Sequence, residues 1–279
     1  MNVRVKFSKY GFTKFLGHLD VVRYFQKAIR RSGLSVAYSE GFNPHPLLYF
    51  AAPLGLGETS DGEYMDMELT KDYPLGEIIQ RLNAVMTEGF FVQRAAKLPD
   101  WHPNQKKESI MALTACADYM AAVKDLEVDG KPYAKYFSGF REKFSAFLGQ
   151  TEIIVEKESK KSTKTVDIRP LIFGWGFSAA DVWNGEGAPE DGICHAQTYG
   201  NGLQVFLKLA NGSTDNLKPG LVMESFCKAY GVPYQESALQ FHRMETYCDL
   251  RLRMPDRNEG EESVGLKDGT REFVPLWRL

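Results

Sequence analysis

Two histidines near the start of the chain have the surroundings that chemistry requires. His18 belongs to "GHLD", residues 17–20, where strand-like sequence gives way to a helical pattern, and His45 stands between Pro44 and Pro46 in "EGFNPHP", residues 40–46. The amides at a helix start favour an anion, which makes His18 a neighbour for phosphate. Proline sets its own φ and turns the residue before it toward extended backbone, so Asn43 and His45 are held stiffly before any ligand arrives. If the loop folds back over the helix, His45 and Asn43 join His18 in one pocket, with Tyr38, Phe42, Tyr49 and Phe50 offering ring faces for stacked bases. Two imidazoles so placed suit general acid–base cleavage of RNA without a metal, because histidine titrates near pH ~6.5. The plainer reading is a proline-stiffened Ω-type connection whose aromatics fill the core.

Phosphate binding has its own candidates. From His18 to Ser32, Leu19, Val22, Phe25 and Ile29 fall near one helical face while Arg23, Lys27, Arg30 and Arg31 gather opposite, and Gly33 ends the helix. A second basic element, "KESKKSTKTVDIRPLI", supplies Lys157, Lys160, Lys161, Lys164 and Arg169, either as an arm that neutralises phosphates or as a solvated hairpin tip. The formal net charge of -2 therefore hides an asymmetry: residues 1–50 are basic and the stretch after them is acidic.

Other chemistry finds less support. In "EYMDMEL", residues 63–69, strand alternation leaves Asp66 and Glu68 as at most two metal ligands, so a solvated acidic surface is expected and no metal site. Gly55 and Gly57 in "PLGLGE" lack the strand-to-helix context of a dinucleotide loop. Cys116, Cys194, Cys227 and Cys248 form no CxxC pair, which argues against a zinc ribbon or iron-sulfur site and for buried free thiols. His102, His195 and His242 lie far apart and read as ordinary core or surface residues.

The elements that must position these residues follow from periodicity. Residues 2–8 alternate as a half-buried strand, the helix of 18–32 follows, and "LSVAYS", "EYMDMEL", "PLGEIIQRLNAVMT" and "FFVQRAAKL" read as strand, strand, helix and strand. This is the split βαβ order of a ferredoxin-like module. The second half repeats the rhythm less regularly: a strand in "SIMALTACADYMAAV", a helix in "YAKYFSGFREKFSAFLG", a strand in "TEIIVEKES", a hairpin of "GICHAQTYG" with "GLQVFLKLA", a helix in "LKPGLVMESFCKAYG" and a strand in "METYCDLRLR". The expected fold class is α+β, tandem ferredoxin-like modules with antiparallel sheets: residues 1–98, a polar linker at 99–108, a second module at 109–255 and a tail at 256–279. No apolar run reaches the ~20 residues of a membrane span, and the cytoplasm is the expected location.

Three segments carry a more specific likeness: "RVKFSKYGFTKFLGHLDVVRYFQKAIRRSG", "SVAYSEGFNPHPLLYFAAPLGLGETSDGEYMD" and "KTVDIRPLI". Together they resemble the radical-SAM-linked family of uncharacterised bacterial proteins, found beside or fused to radical SAM proteins with a cobalamin-binding-type domain. The resemblance implies a radical SAM partner and brings no catalytic residues with it. Since the chain has no CxxxCxxC to hold a cluster, the expectation is a protein without a cofactor or intrinsic activity of its own. It would bind RNA and present it to a separately encoded radical SAM enzyme. Two alternatives stand beside this: a protein-interaction module that stabilises the partner without binding nucleic acid, and a metal-independent RNA endonuclease.

Overall fold

The computed structural model describes residues 1–99, 109–159, 162–183, 194–250 and 271–279. Strand β1 (Asn2–Lys9) passes through a 3-10 turn, Gly11–Phe15, into helix α1 (His18–Ser32); β2 (Leu48–Phe50), β3 (Thr59–Glu68), α2 (Leu75–Asn83) and β4 (Phe90–Lys97) follow. Their sheet order is β4-β1-β3-β2, with every neighbouring pair antiparallel. The second half starts with α3 (Ile110–Leu113) and β5 (Thr114–Val123), then a small hairpin of β6 (Glu127–Val128) and β7 (Lys131–Pro132). After α4 (Phe140–Leu148) comes a separate hairpin, β8 (Ile154–Ser159) and β9 (Ser162–Asp167). The half closes with β10 (Ile172–Gly176), β11 (Gln204–Ala210), α5 (Pro219–Tyr230) and β12 (Leu239–Asp249), while β13 (Phe273–Pro275) pairs with β12. Its order, β10-β11-β5-β12, is again antiparallel throughout. The fold class is mixed α+β, with a mostly antiparallel sheet and few helices.

One sheet results, because β12 also lies beside β3. This junction is parallel and brief, His242 opposite Thr59 and Arg243 opposite Ser60. It is possible because β2 covers only the far end of β3, from Met65 to Met67, and leaves the edge near Thr59 open. Helices α1 and α2 cover the face carrying Val3, Val5, Phe7, Met65 and Met67, and α4 and α5 cover the face carrying Tyr119, Ala121, Val205 and Leu207. The opposite face is covered too. Leu276 and Trp277 pack with Tyr64 and Cys248, and Val182, Trp183, Ala196 and Tyr199 pack with Met120, Phe206 and Met244.

Two-sided cover changes what alternation means. Arg4 and Lys6, read as the wet side of a half-buried strand, are buried, and so are Glu63 and Asp66, read as solvated surface. Arg4 grips both carboxylate oxygens of Asp66, at 2.8 and 2.9 Å, and also donates to the Leu276 carbonyl. Lys6 Nζ lies 2.7 Å from Glu245 Oε2, whose second oxygen accepts from Tyr64. Arg243 donates to Glu63 and the Ala52 carbonyl at 2.9 Å, and to Tyr119 Oη at 3.1 Å. Burial would lower the Arg243 pKa, but Glu63, Tyr119 and Glu58 outweigh it and hold the charge on the guanidinium.

Several expected elements moved for local reasons. The "LSVAYS" strand is reduced to isolated bridges at Val36 and Tyr38, and the strand against β3 is Leu48–Phe50. The long helix of "YAKYFSGFREKFSAFLG" is broken at Gly139, whose φ of 67° lies in the left-handed region, so Tyr133–Phe137 forms a 3-10 turn before α4. Residues 194–199 do not pair with β11, whose neighbours are β10 and β5. On α1 the buried side is Val21, Phe25, Ala28 and Ile29, and Leu19 is exposed. Gly33 ends the helix at φ 71°, as its position implied.

The junction rests on Gly62. A Cβ there would sit 2.6 Å from Glu245 Cα and 2.9 Å from Glu245 N, closer than backbone atoms can tolerate. Gly62→Ala should lower stability by about 1–3 kcal/mol in urea denaturation, whereas Gly76→Ala, which meets nothing within 4 Å on exposed α2, should be neutral or stabilising by up to ~1 kcal/mol. Equal effects at the two sites would show that β3 and β12 are not closely packed. Lys6→Met strands a buried carboxylate and should cost about 3–5 kcal/mol, while Lys6→Met combined with Glu245→Met should cost less than the sum of the two single changes.

Candidate functional site

The residues singled out by sequence fall into separate regions. Arg23, Lys27, Arg30 and Arg31 are all exposed on the outer side of α1. Arg23 meets Asp20 at 3.4 Å in a solvent-exposed pair, and Arg31 donates to the Val85 carbonyl at 3.1 Å. The "NPHP" loop is an exposed hairpin: Tyr38 bridges Pro46, His45 N and Nδ1 both contact Ser39 Oγ, and Phe42 is fully exposed. Asn43 and Pro44 are exposed with it and Pro46 is buried at its base. His18 lies elsewhere, edge-on to Phe50 and lining a water-sized cavity with Phe7, Lys9 and Tyr64. Among the described residues no contact joins His18 to His45 or Asn43, so the two imidazoles do not form a pair.

In the second basic element, Lys160 and Lys161 lie outside the described residues, as does the side chain of Lys164 on β9. Arg169 is half-buried and turned to the backbone. Its Nη1 donates to the Ile172 carbonyl at 3.1 Å, and its amide, with that of Ile153, donates to Asp167 Oδ1. Asp167 and Arg169 thereby fix the entry to β10.

The densest polar cluster lies instead at the junction of the halves. Between Phe7 and Lys9 the β1–β3 register slips by one residue, since Phe7 faces Glu63 but Lys9 faces Ser60. The extra residue is a bulge at Asp61-Gly62, which aims Asp61 at β12 instead of into the helix layer. There His195 Nδ1 donates to Asp61 Oδ1 at 2.5 Å and the His195 amide donates to Oδ2 at 2.9 Å. His242 Nε2 lies 3.1 Å from the same Oδ2, a close approach without an aligned hydrogen bond. On its other side, His242 Nδ1 is 2.9 Å from Thr59 Oγ1. Tyr10 stacks on the His195 ring, centroids 3.7 Å apart.

Burial would raise the Asp61 carboxyl, but the hydrogen bonds from His195 and the approach of His242 outweigh it and hold the group well below the usual carboxylate range. The nearby Cys194 thiol is pushed up, first by partial desolvation of its sulfur and then by the Asp61 charge, although the residue as a whole is open to solvent. It is exposed, unlike the buried thiols of Cys116, Cys227 and Cys248, and so departs from the sequence reading. Outside the cluster opens a cleft of about 350 Å³ lined by Tyr10, Phe12, Lys14, Phe15, Thr59 and His195. Phe12 and Phe15 form exposed apolar lips, and at the inner side of the cleft stand Thr59 and His195, the residues that contact His242 and Asp61. Such an arrangement can hold a cation, or fix a histidine tautomer beside a bound molecule.

Nothing in the sequence placed this cluster. Asp61 and His195 are 134 residues apart. The one local hint is the polar run Thr59-Ser60-Asp61 at the start of a strand that is otherwise apolar or paired.

Compared with curated proteins, the chain matches none. A family model described as "uncharacterized protein conserved in bacteria", DUF2344, matches residues 2–219, a span that includes α1, the hairpin loop, Asp61 and His195, and the protein belongs to that family.

Proposed function

We propose that the protein binds RNA and presents it to a separately encoded radical SAM enzyme. The observation that carries this reading is the outer side of α1, where Arg23, Lys27, Arg30 and Arg31 stand exposed in successive turns with one exposed carboxylate, Asp20, as counter-charge on the helix. A row of cations on a rigid helix follows a phosphate backbone at little entropic cost. Exposed Tyr38, Phe42 and Tyr49, on and beside the hairpin, add ring faces of the kind on which unpaired bases stack, each worth about 1–3 kcal/mol in single-strand binders. The partner is inferred from the sequence resemblance alone. We read each half as a ferredoxin-like module, residues 1–98 and 109–255 about a linker at 99–108. The repeated strand order supports this, with the β8–β9 hairpin as an insertion in the second module.

A second reading, a protein-interaction module, is favoured by one observation. Phe12, Phe15, Leu19 and Leu56 are exposed, and the Gly57 amide donates to the Lys14 carbonyl, which ties the loop carrying Leu56 to the turn carrying Phe12 and Phe15. Exposed apolar groups so gathered suit a protein partner.

The two readings separate on salt. Replacing Arg23, Lys27 and Arg30 by glutamine keeps helix propensity and removes three charges. Binding of a structured RNA should weaken, and the slope of log affinity against log salt should flatten by about 2, at roughly 0.7 per single-strand phosphate contact. Isotherms at several salt concentrations measure this. Unchanged affinity and slope in the folded variant would remove α1 as the nucleic-acid surface, and salt-insensitive binding of the partner with no RNA affinity would favour the second reading.

A further inference from the structure

We propose that Asp61, Cys194 and His242 form a binding site for a divalent transition metal of the zinc class, at the junction of the two half-sheets. One donor atom of each residue lies within 4.8 Å of the other two. Bonds of about 2.0–2.3 Å in a tetrahedral arrangement put neighbouring donors roughly 3.3–3.8 Å apart, so small side-chain adjustments close the set on one ion. The mixture of carboxylate oxygen, imidazole nitrogen and sulfur suits zinc or cobalt and does not suit magnesium or calcium, which take oxygen.

A second observation points to the same ion. His242 is completely buried, and its Nε2 has no aligned hydrogen bond although it lies 3.1 Å from Asp61 Oδ2. Thr59 Oγ1 lies 2.9 Å from Nδ1, and in the tautomer whose Nδ1 donates to it, Nε2 presents a lone pair beside a carboxylate. Two electron-rich atoms held so close require positive charge between or beside them. A proton on Nε2 would be poorly aligned, whereas a metal ion beside both atoms would take a lone pair from each. A buried polar atom without a partner is otherwise costly.

The supporting groups match those of a metal centre. Asp61 Oδ1 is held by His195 Nδ1, and His242 is held by Thr59, which itself lies 3.3 Å from Gln240 Nε2. Three protein donors leave a fourth position for water or a ligand, the pattern of open zinc sites as opposed to closed structural ones. The exposure of Cys194 supplies an entry path, and the cleft that shares Thr59 and His195 with this cluster supplies room for a ligand. The inference stands apart from RNA binding, since it uses none of the α1 side chains.

The test uses the full chain, dialysed against a chelator and titrated with Zn²⁺ and Co²⁺. One equivalent should bind, and the Co²⁺ form should show the visible bands of a four-coordinate ion with a near-ultraviolet sulfur-to-cobalt charge-transfer band. Cys194→Ser alters an exposed side chain and should keep the fold by circular dichroism. It should lose the charge-transfer band and weaken binding by more than the roughly 10- to 100-fold that removal of a supporting group costs. Asp61→Asn should weaken binding to a similar degree. Substoichiometric binding by the parent chain, or Cys194→Ser binding with unchanged affinity and spectrum, would overturn the site.

Discussion

Everything at the centre of this molecule depends on how closely β12 approaches β3. The approach requires a residue without a side chain at Gly62, where a Cβ would strike Glu245 backbone. It also requires that the polar groups trapped by the contact neutralise one another. Lys6 with Glu245 and Arg243 with Glu63 do so across the junction, and Arg4 with Asp66 does so beside it. Each pair relieves a desolvation cost that either member alone would leave standing, so the junction is held less by net attraction than by the penalty for taking one partner away. Burial raises the Glu245 carboxyl, and Lys6, Tyr64 and the Thr246 amide oppose it.

The same contact creates the candidate metal cluster. The bulge at Asp61-Gly62 brings Gly62 against Glu245 and also turns Asp61 toward His242. Segment 194–199, expected to extend the sheet, instead lays His195 over Asp61 and packs Ala196 and Tyr199 on the face carrying Met120 and Met244. The cluster thus draws residues from both halves and exists only when they are joined. The basic side of α1 has no such requirement. It needs only a helix with one face buried by Val21, Phe25 and Ile29, and the remaining positions are free to carry charge. Two candidate surfaces, one local and one dependent on the junction, therefore belong to a single sheet and its helices.

Much of the local structure was legible in the sequence. The alternation of residues 2–8, the terminal glycine of α1 and the order of strands and helices in the first half each follow from side-chain period and turn chemistry acting over a few residues, whereas in the second half the strand expected at 151–159 lies in a separate hairpin and the sheet strand Ile172–Gly176 carried no such signal. The exposed row of Arg23, Lys27, Arg30 and Arg31 followed for the same reason, because which side of a helix faces out is set by its own stripe. The misjudged element boundaries were those where one residue decides. Gly139 breaks an otherwise helical pattern, and Leu48–Phe50 displaces "LSVAYS" as the partner of β3.

What only the tertiary structure decided is the fate of the polar residues on the strands. Alternation assigns Arg4, Lys6 and Asp66 to a second face but cannot say whether water or protein covers it, since the cover comes from β12 and from residues 276–279, far along the chain. Nor can a sequence reveal that Asp61, Cys194, His195 and His242 meet, because a one-residue bulge and a two-residue parallel pairing bring them together and neither has a periodic signature. Patterns repeat within an element and can be read from one strand or helix. The Asp61 cluster arises between elements, where close approach and charge neutralisation decide and no single segment records the outcome.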